Sequence, residues 1–317
     1  MKYSLMSHMI DQEIKLKKPT FIHRLILRDM GYTGEDPTLE EAFAFLNAHG
    51  FPAKNGSLSF RDLVRFAREN GFDGLDMMAH HFDEDPAEAR AVLEEYGVTL
   101  SAVNVLVPFS DAGSDGEFAG MLQNAKDTID RGAAAGCVSF MVMPANYAPA
   151  QGMTREETYQ NIVRGLRACV AYGKEKGVTI TTETLESVAT PLCSTGEMLR
   201  LFADVPGLKY SHDTGNCLMA LENPLATYER FKDRVASLHF KDYIYTEEKT
   251  RMMDALGRYA DLAVPGEGVV DFAGHLKALK RDNYQGFITV EGRGRADNQL
   301  DAAIAALRYF RELEKAV

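Results

Sequence analysis

The sequence predicts an α/β chain folded as one (β/α)8 TIM barrel over residues 1–317, on three observations. Eight short apolar runs of strand length alternate with helical patterns, an order that implies parallel β/α units. Glycine or asparagine recurs where a helical run gives way to a strand, as in "ENGFDG", "EEYGVTL", "KEKGVTI" and "RDNYQGFITV"; such residues take the left-handed conformation that ends a helix. Four apolar runs in the second half each end in a residue able to hold a metal. They are 178–183, 208–213, 235–239 and 287–291, ending at Glu183, Asp213, His239 and Glu291.

Taken in order, the first apolar run, 3–10, is the opening strand. Residues 11–55 then depart from the rhythm in a long excursion with a helical piece at 39–49, before a helix at 60–70. Strands at 74–79 and 99–105 flank a helix at 86–96, each bounded by a glycine signal. A helix at 117–135 leads to the strand 139–143. Thr154 with Glu157 resembles a capping box and opens the helix 155–176. The strand 179–184 follows, and Ser194 with Glu197 opens the helix 195–203 in the same way. Strands at 209–213 and 236–239 enclose a helix at 224–232. A second excursion, 243–266, is expected to hold helix over 247–259. The helix 272–281, the strand 287–291 and a closing helix at 298–313 complete the pattern. Both excursions leave from C-terminal strand ends, so both are expected over the face where barrel active sites sit, as lids or partner-binding elements.

Composition narrows the function. The chain carries 35 basic against 46 acidic residues, a net charge of −11, and has no basic cluster. Such a surface repels phosphate backbones and argues against a nucleic-acid partner. The first residues read as a strand rather than a signal peptide, and no apolar run approaches bilayer-spanning length. The four cysteines (Cys137, Cys169, Cys193, Cys217) are scattered without CxxC spacing. A reduced, cytoplasmic protein with no membrane partner is the expectation.

The spacing from Glu183 to Asp213 to His239 to Glu291 is 30, 26 and 52 residues, close to one, one and two β/α repeats. A parallel barrel brings such strand ends together on one face. Oxygen and imidazole donors suit one divalent ion: Mn²⁺, Mg²⁺, Co²⁺ or Zn²⁺. Other candidates end the remaining strands: His8, His80 with His81, Asn104 and Asn146. A histidine there suits a general base or substrate donor near neutral pH. Lys241 and Asp242 either bind substrate or pair with each other. Glu267 is a substrate contact or a loop staple. Arg293 and Arg295 offer an anion or partner contact. His212 is expected on the opposite side of its strand from Asp213, and Met141 and Met143 belong to core or pocket wall. No full GxGxxG opens a helix, so dinucleotide binding is unsupported.

The pieces "GFDGLDM", "KGVTITTETLE", "LKYSHDTGN", "LHFKD" and "PGEGVVDFAGHLKALKRDNYQGFITVEGRG" resemble the sugar-phosphate isomerase/epimerase superfamily, the xylose-isomerase-like barrels. The resemblance covers most of the chain outside the excursions. It implies one divalent metal, manganese foremost, on Glu183, Asp213, His239 and Glu291, and a small sugar-like substrate. It also implies that Glu183 and Glu291 act as an acid/base pair. Among the candidates named from the residues themselves, His8, His80, Asn104, Asn216, Lys241 and Glu267 are the expected substrate contacts. The expected reaction is isomerisation or epimerisation through an enediolate, within a homo-oligomer. Ala189 and Asn216 stand where ketose 3-epimerases carry a glutamate and a histidine. A lyase ending the same enolate chemistry in β-elimination therefore competes. It would resemble inosose dehydratases, or the α subunits of C-glycoside deglycosidases with their small β-rich partner subunit. A nuclease needs more ligands and a basic groove; a non-catalytic binding barrel is the remaining class.

Overall fold

The expected alternation closes into a barrel. In the computed structural model, which describes residues 1–19, 23, 24, 27, 30–34, 36–50, 53–146, 152–292 and 298–317, eight parallel strands ring a common axis. They are β1 (Lys2–Met6), β2 (Gly74–Met78), β3 (Thr99–Leu106), β4 (Ser139–Met143), β5 (Thr179–Thr182), β6 (Lys209–Asp213), β7 (Val235–Phe240) and, after three strands outside the barrel, β11 (Phe287–Val290). The ring closes between first and last strands, with Lys2 opposite Phe287 and Leu5 opposite Val290. Several predicted strands end a little early. β1 stops at Met6, and Ser7–Ile10, including His8, forms a 3-10 turn.

The predicted helix starts carry their caps. Thr154 with Glu157 and Ser194 with Glu197 form reciprocal capping boxes, as do Thr38 with Glu41 and Ser59 with Asp62. At the other ends Gly97 and Gly177 take φ of 64° and 71°, the left-handed turn that a side chain resists. Between strands and helices lies an aromatic layer in which Phe240 packs on Phe272 and Phe310. Inside the barrel the lower floor is polar: Ser4 Oγ meets Ser101 Oγ at 2.7 Å.

The first excursion carries its helix at Leu39–Ala48, where Ala42 and Leu46 pack with Leu27 in a small core of their own. The second departs from expectation. In place of a helix over 247–259, β8 (Asp242–Thr246), β9 (Met252–Met253) and β10 (Tyr259–Ala263) form an antiparallel sheet in the order β8-β10-β9. Asp254 explains it. Its buried carboxylate accepts the backbone N–H groups of Leu256 and Arg258, and Gly257 takes φ of 80°. That is a tight turn, and it interrupts a run otherwise rich in helix-forming residues.

Candidate metal centre

Three of the four predicted ligands converge. Glu183 follows the end of β5, Asp213 closes β6 and His239 lies in β7, and their donor atoms come within 4.8 Å of one another. Glu291, one residue past β11, places Oε2 3.0 Å from His239 Nδ1 without an aligned hydrogen bond. Its Oε1 meets Lys241 Nζ at 2.9 Å.

Local bonding aims each donor inward. Asp213 Oδ1 accepts the N–H groups of Gly215 and Asn216, both at 2.7 Å, which leaves Oδ2 facing the cavity. His239 Nε2 lies 3.2 Å from Asp76 Oδ2, leaving Nδ1 toward Glu183 Oε2 at 3.7 Å. Asp76 is itself held by Asn104 Nδ2 at 2.6 Å and the Thr289 hydroxyl at 2.7 Å. As a result Glu183 Oε2, Asp213 Oδ2 and His239 Nδ1 are buried with no hydrogen-bond partner. Three orphaned donors of oxygen and imidazole type facing one point fit a divalent cation, since buried polar atoms are otherwise satisfied. A carboxylate behind a ligand histidine is the usual outer support of such a site.

Electrostatics agree with crowded carboxylates. Burial, then the Asp213 charge, pushes Glu183 up to about 8. Burial also raises Asp213, to about 6. Burial pulls Glu291 the same way, but Lys241 and His239 outweigh it and hold that carboxyl well below the ordinary range.

The ligands open onto a cavity of about 1010 Å³. His8, His80, Asn104, Asn216 and Lys241 all line it, as do Asn146, Met141 and Met143. Glu267 does not. It is exposed on a turn whose Gly266, Gly268 and Val270 N–H groups are held by Asp242. Lys241 and Asp242 thus face opposite ways, and the mutual pair does not form. His81 bonds Ser7 Oγ instead of the cavity, and His212 stacks on His275 behind β6. Arg293 and Arg295 lie outside the described residues.

Four participants were not singled out in the sequence. Asp76 sits mid-strand, where its inward side follows from alternation once the barrel is drawn. Glu186, three residues after Glu183, is buried; its carboxylate accepts from the Tyr243 hydroxyl at 2.7 Å and from Arg251, and lies 3.4 Å from Lys241 Nζ. Tyr243 and Arg251 reach it from the flanking sheet. Arg251 falls within the helix expected over 247–259, whereas Tyr243 lies in β8, ahead of that stretch.

A family model described as xylose isomerase-like TIM barrel matches residues 64–313. An inosose dehydratase of Lacticaseibacillus casei is 26% identical over 49% of this chain and 54% of its own length. The chain thus spans about half the length of the curated relatives it matches. Among solved structures, the probable 3-DHS dehydratase AsbF of Bacillus anthracis superposes with a TM-score of 0.67 at 15% identity, over 98% of this chain and 99% of that one. The 3-keto-D-glucoside 4-epimerase YcjR of E. coli gives 0.66 at 18% identity, over 80% and 94%. At those identities the structures speak to the fold alone. No helix among the described residues is long and apolar enough to cross a membrane.

Proposed function

Because this chain belongs to the xylose isomerase-like TIM-barrel family, we propose that it is a divalent-metal-dependent enzyme acting on a small polyhydroxylated carbonyl compound. It takes a proton from the carbon beside the carbonyl and passes through an enediolate. One observation carries the reading: two buried carboxylates, Glu183 and Glu291, lie 3.7 and 3.0 Å from the same imidazole nitrogen at the floor of an open cavity. A carbon acid is weak, so its deprotonation needs a placed base together with positive charge at the oxygen that becomes anionic. Glu183 and Glu291 supply the acid/base pair. Lys241, buried beside Glu291, supplies fixed positive charge. Glu183, Asp213 and His239 would hold the ion, with Glu291 as fourth donor and Mn²⁺ the foremost candidate; when bound it polarises the carbonyl and the adjacent hydroxyl.

Reprotonation of the enediolate gives an isomer or epimer. Loss of a β-substituent gives an unsaturated ketone, the lyase outcome. The matched inosose dehydratases support the second ending. So does Asn216, whose amide is tied to the Thr184 carbonyl at 2.9 Å and lies 3.3 Å from Lys241 Nζ, at the position where ketose 3-epimerases carry a histidine. The test is incubation of the Mn²⁺-loaded protein with keto-sugars and inososes in D₂O. Deuterium at the α-carbon is expected, with product mass separating the endings. Absence of exchange from every such compound would sink the reading.

A further inference from the structure

The buried ammonium of Lys241 stands among more oxygens than it can serve. Nζ lies 2.9 Å from Glu291 Oε1, 3.3 Å from Asn216 Oδ1, 3.4 Å from Glu186 Oε2 and 3.8 Å from Asp213 Oδ2. An ammonium has three protons to give, and Asp213 Oδ2 has no hydrogen-bond partner. Two of the four acceptors, Glu291 and Asp213, belong to the candidate metal set. Glu186 and Asn216 do not.

The rest of this lysine is held in place. Its backbone N–H donates to the Thr214 hydroxyl at 2.9 Å, and that hydroxyl donates to the Lys241 carbonyl at 2.8 Å. The stem runs past Gly215, where a Cβ would stand 3.3 Å from Lys241 Cγ and 2.6 Å from the Tyr243 ring. Glycine lets both side chains lie against the backbone there. Where Nζ settles is therefore decided by the oxygens that draw it.

Glu186 is anchored to draw it. Its buried carboxylate accepts from the Tyr243 hydroxyl at 2.7 Å through Oε2 and from Arg251 through Oε1. Burial alone would raise this carboxyl, but Lys241 and Arg251 outweigh it and hold it below its ordinary range. Asn216 adds to the pull: its Nδ2 is tied to the Thr184 carbonyl at 2.9 Å, which turns Oδ1 toward Lys241. An ion among Glu183, Asp213 and His239 needs Asp213 Oδ2. An ammonium that moved onto that oxygen would compete for it and repel the ion.

We infer that Glu186 is a positioning residue of the metal centre. Acting through Lys241, it holds the ammonium off Asp213 Oδ2 and so keeps that oxygen for the ion. The inference rests on the metal-dependent reading above.

The test is a double-mutant cycle on Mn²⁺ affinity, read on the full chain at one pH by competition with a fluorescent chelator. Glu186→Gln keeps the shape, removes the charge and should weaken Mn²⁺ binding about tenfold, the lower end of the loss for an outer partner of a metal site. Lys241→Met should tighten binding about threefold or more, because a neighbouring positive charge is gone. In that background Glu186→Gln should change affinity by less than about twofold, since the ammonium it restrains is absent. Lys241→Gln supplies a second neutral background, and circular dichroism checks the fold of each variant. Three results would each overturn the inference: no weakening by Glu186→Gln in the wild-type background, equal weakening in both backgrounds, or folded Lys241 variants that bind Mn²⁺ no more tightly than wild type. In all three the wild-type chain still binds Mn²⁺, and the proposed function stands. A wild-type chain that takes up no Mn²⁺ removes the metal reading and this inference together.

Discussion

The carboxylate of Asp76 lies 3.2 Å from Nε2 of His239 and thereby decides which edge of the imidazole the cavity receives. Asp76 belongs to β2 and His239 to β7, separated in the ring by β1 and β11. The support of this candidate metal-binding histidine therefore crosses the barrel interior. Replacing Asp76 with Asn removes the charge behind the ring while nearly keeping its shape. Metal affinity is expected to fall about 10- to 100-fold, the usual loss for such outer partners. Competition against a fluorescent chelator measures it, and an unchanged affinity refutes the orienting role.

Glu183→Gln and Glu291→Gln should each lower turnover by about 10²- to 10⁴-fold, the contribution of a placed acid or base. Circular dichroism should remain that of the wild type. Turnover within a factor of about three of wild type in either variant would exclude that residue from the proton transfer.

Removing the bound ion with EDTA should lower the melting temperature. A ligand present at a hundred times its dissociation constant stabilises the native state by about 2.7 kcal/mol. Differential scanning calorimetry with and without added Mn²⁺ reads the difference. Identical melting curves would mean that the three orphaned donors hold no ion tightly.

The half-buried His80 and the buried His81 set an acid limit. Burial first, then the neighbouring imidazoles, lowers His80 to about 4 and His81 well below its ordinary value. Both are neutral in the folded state, whereas in the unfolded chain they gain protons below about 6.5. Their contribution to stability is thus complete above about pH 6.5 and is lost as pH falls toward 4. Melting temperature followed over this window should drop on the acid side, and His80→Gln should flatten the slope. A variant with the wild-type slope would contradict this.

Arg251 reaches from the flanking sheet to Glu186, which in turn contacts Lys241 and Tyr243. Arg251→Ala should leave melting within about 1 kcal/mol of wild type, because the arginine is 61% exposed. It should nevertheless raise KM several-fold by freeing the sheet at the cavity rim. A KM equal to that of the wild type would show that the sheet is held without it.

Most of the barrel was legible in the sequence because helix and strand periods, glycine stops and capping pairs all pointed the same way. The convergence of Glu183, Asp213 and His239 was legible for a related reason: ring closure makes strand ends neighbours, so spacing by whole β/α repeats becomes proximity in space. The second excursion was not. Glu247, Glu248, Lys249 and Met252 through Leu256 favour helix locally, and only the Asp254–Gly257 turn outweighs them. Asp76 was missed because its partners lie 28, 163 and 213 residues away. Glu186 was missed because its value rests on Lys241, Tyr243 and Arg251, which reach it through the fold alone.

Lys241 turned inward and Asp242 turned outward have a consequence for how this chain tolerates changes in length. Side chains alternate with a period of two, so losing one residue between 235 and 240 would bring an acid where the cation stands and leave the 266–270 turn without its acceptor. Against β11 the strand runs in register from Leu238 to Phe240, and its irregularity against β6 lies between Val235 and Ser237, so a residue lost at 238–240 finds no bulge to absorb the slip. Deletions there should be lethal to activity at a single codon. The exposed stretch around Glu247–Lys249, at a surface turn of the flanking sheet, should accept inserted residues freely.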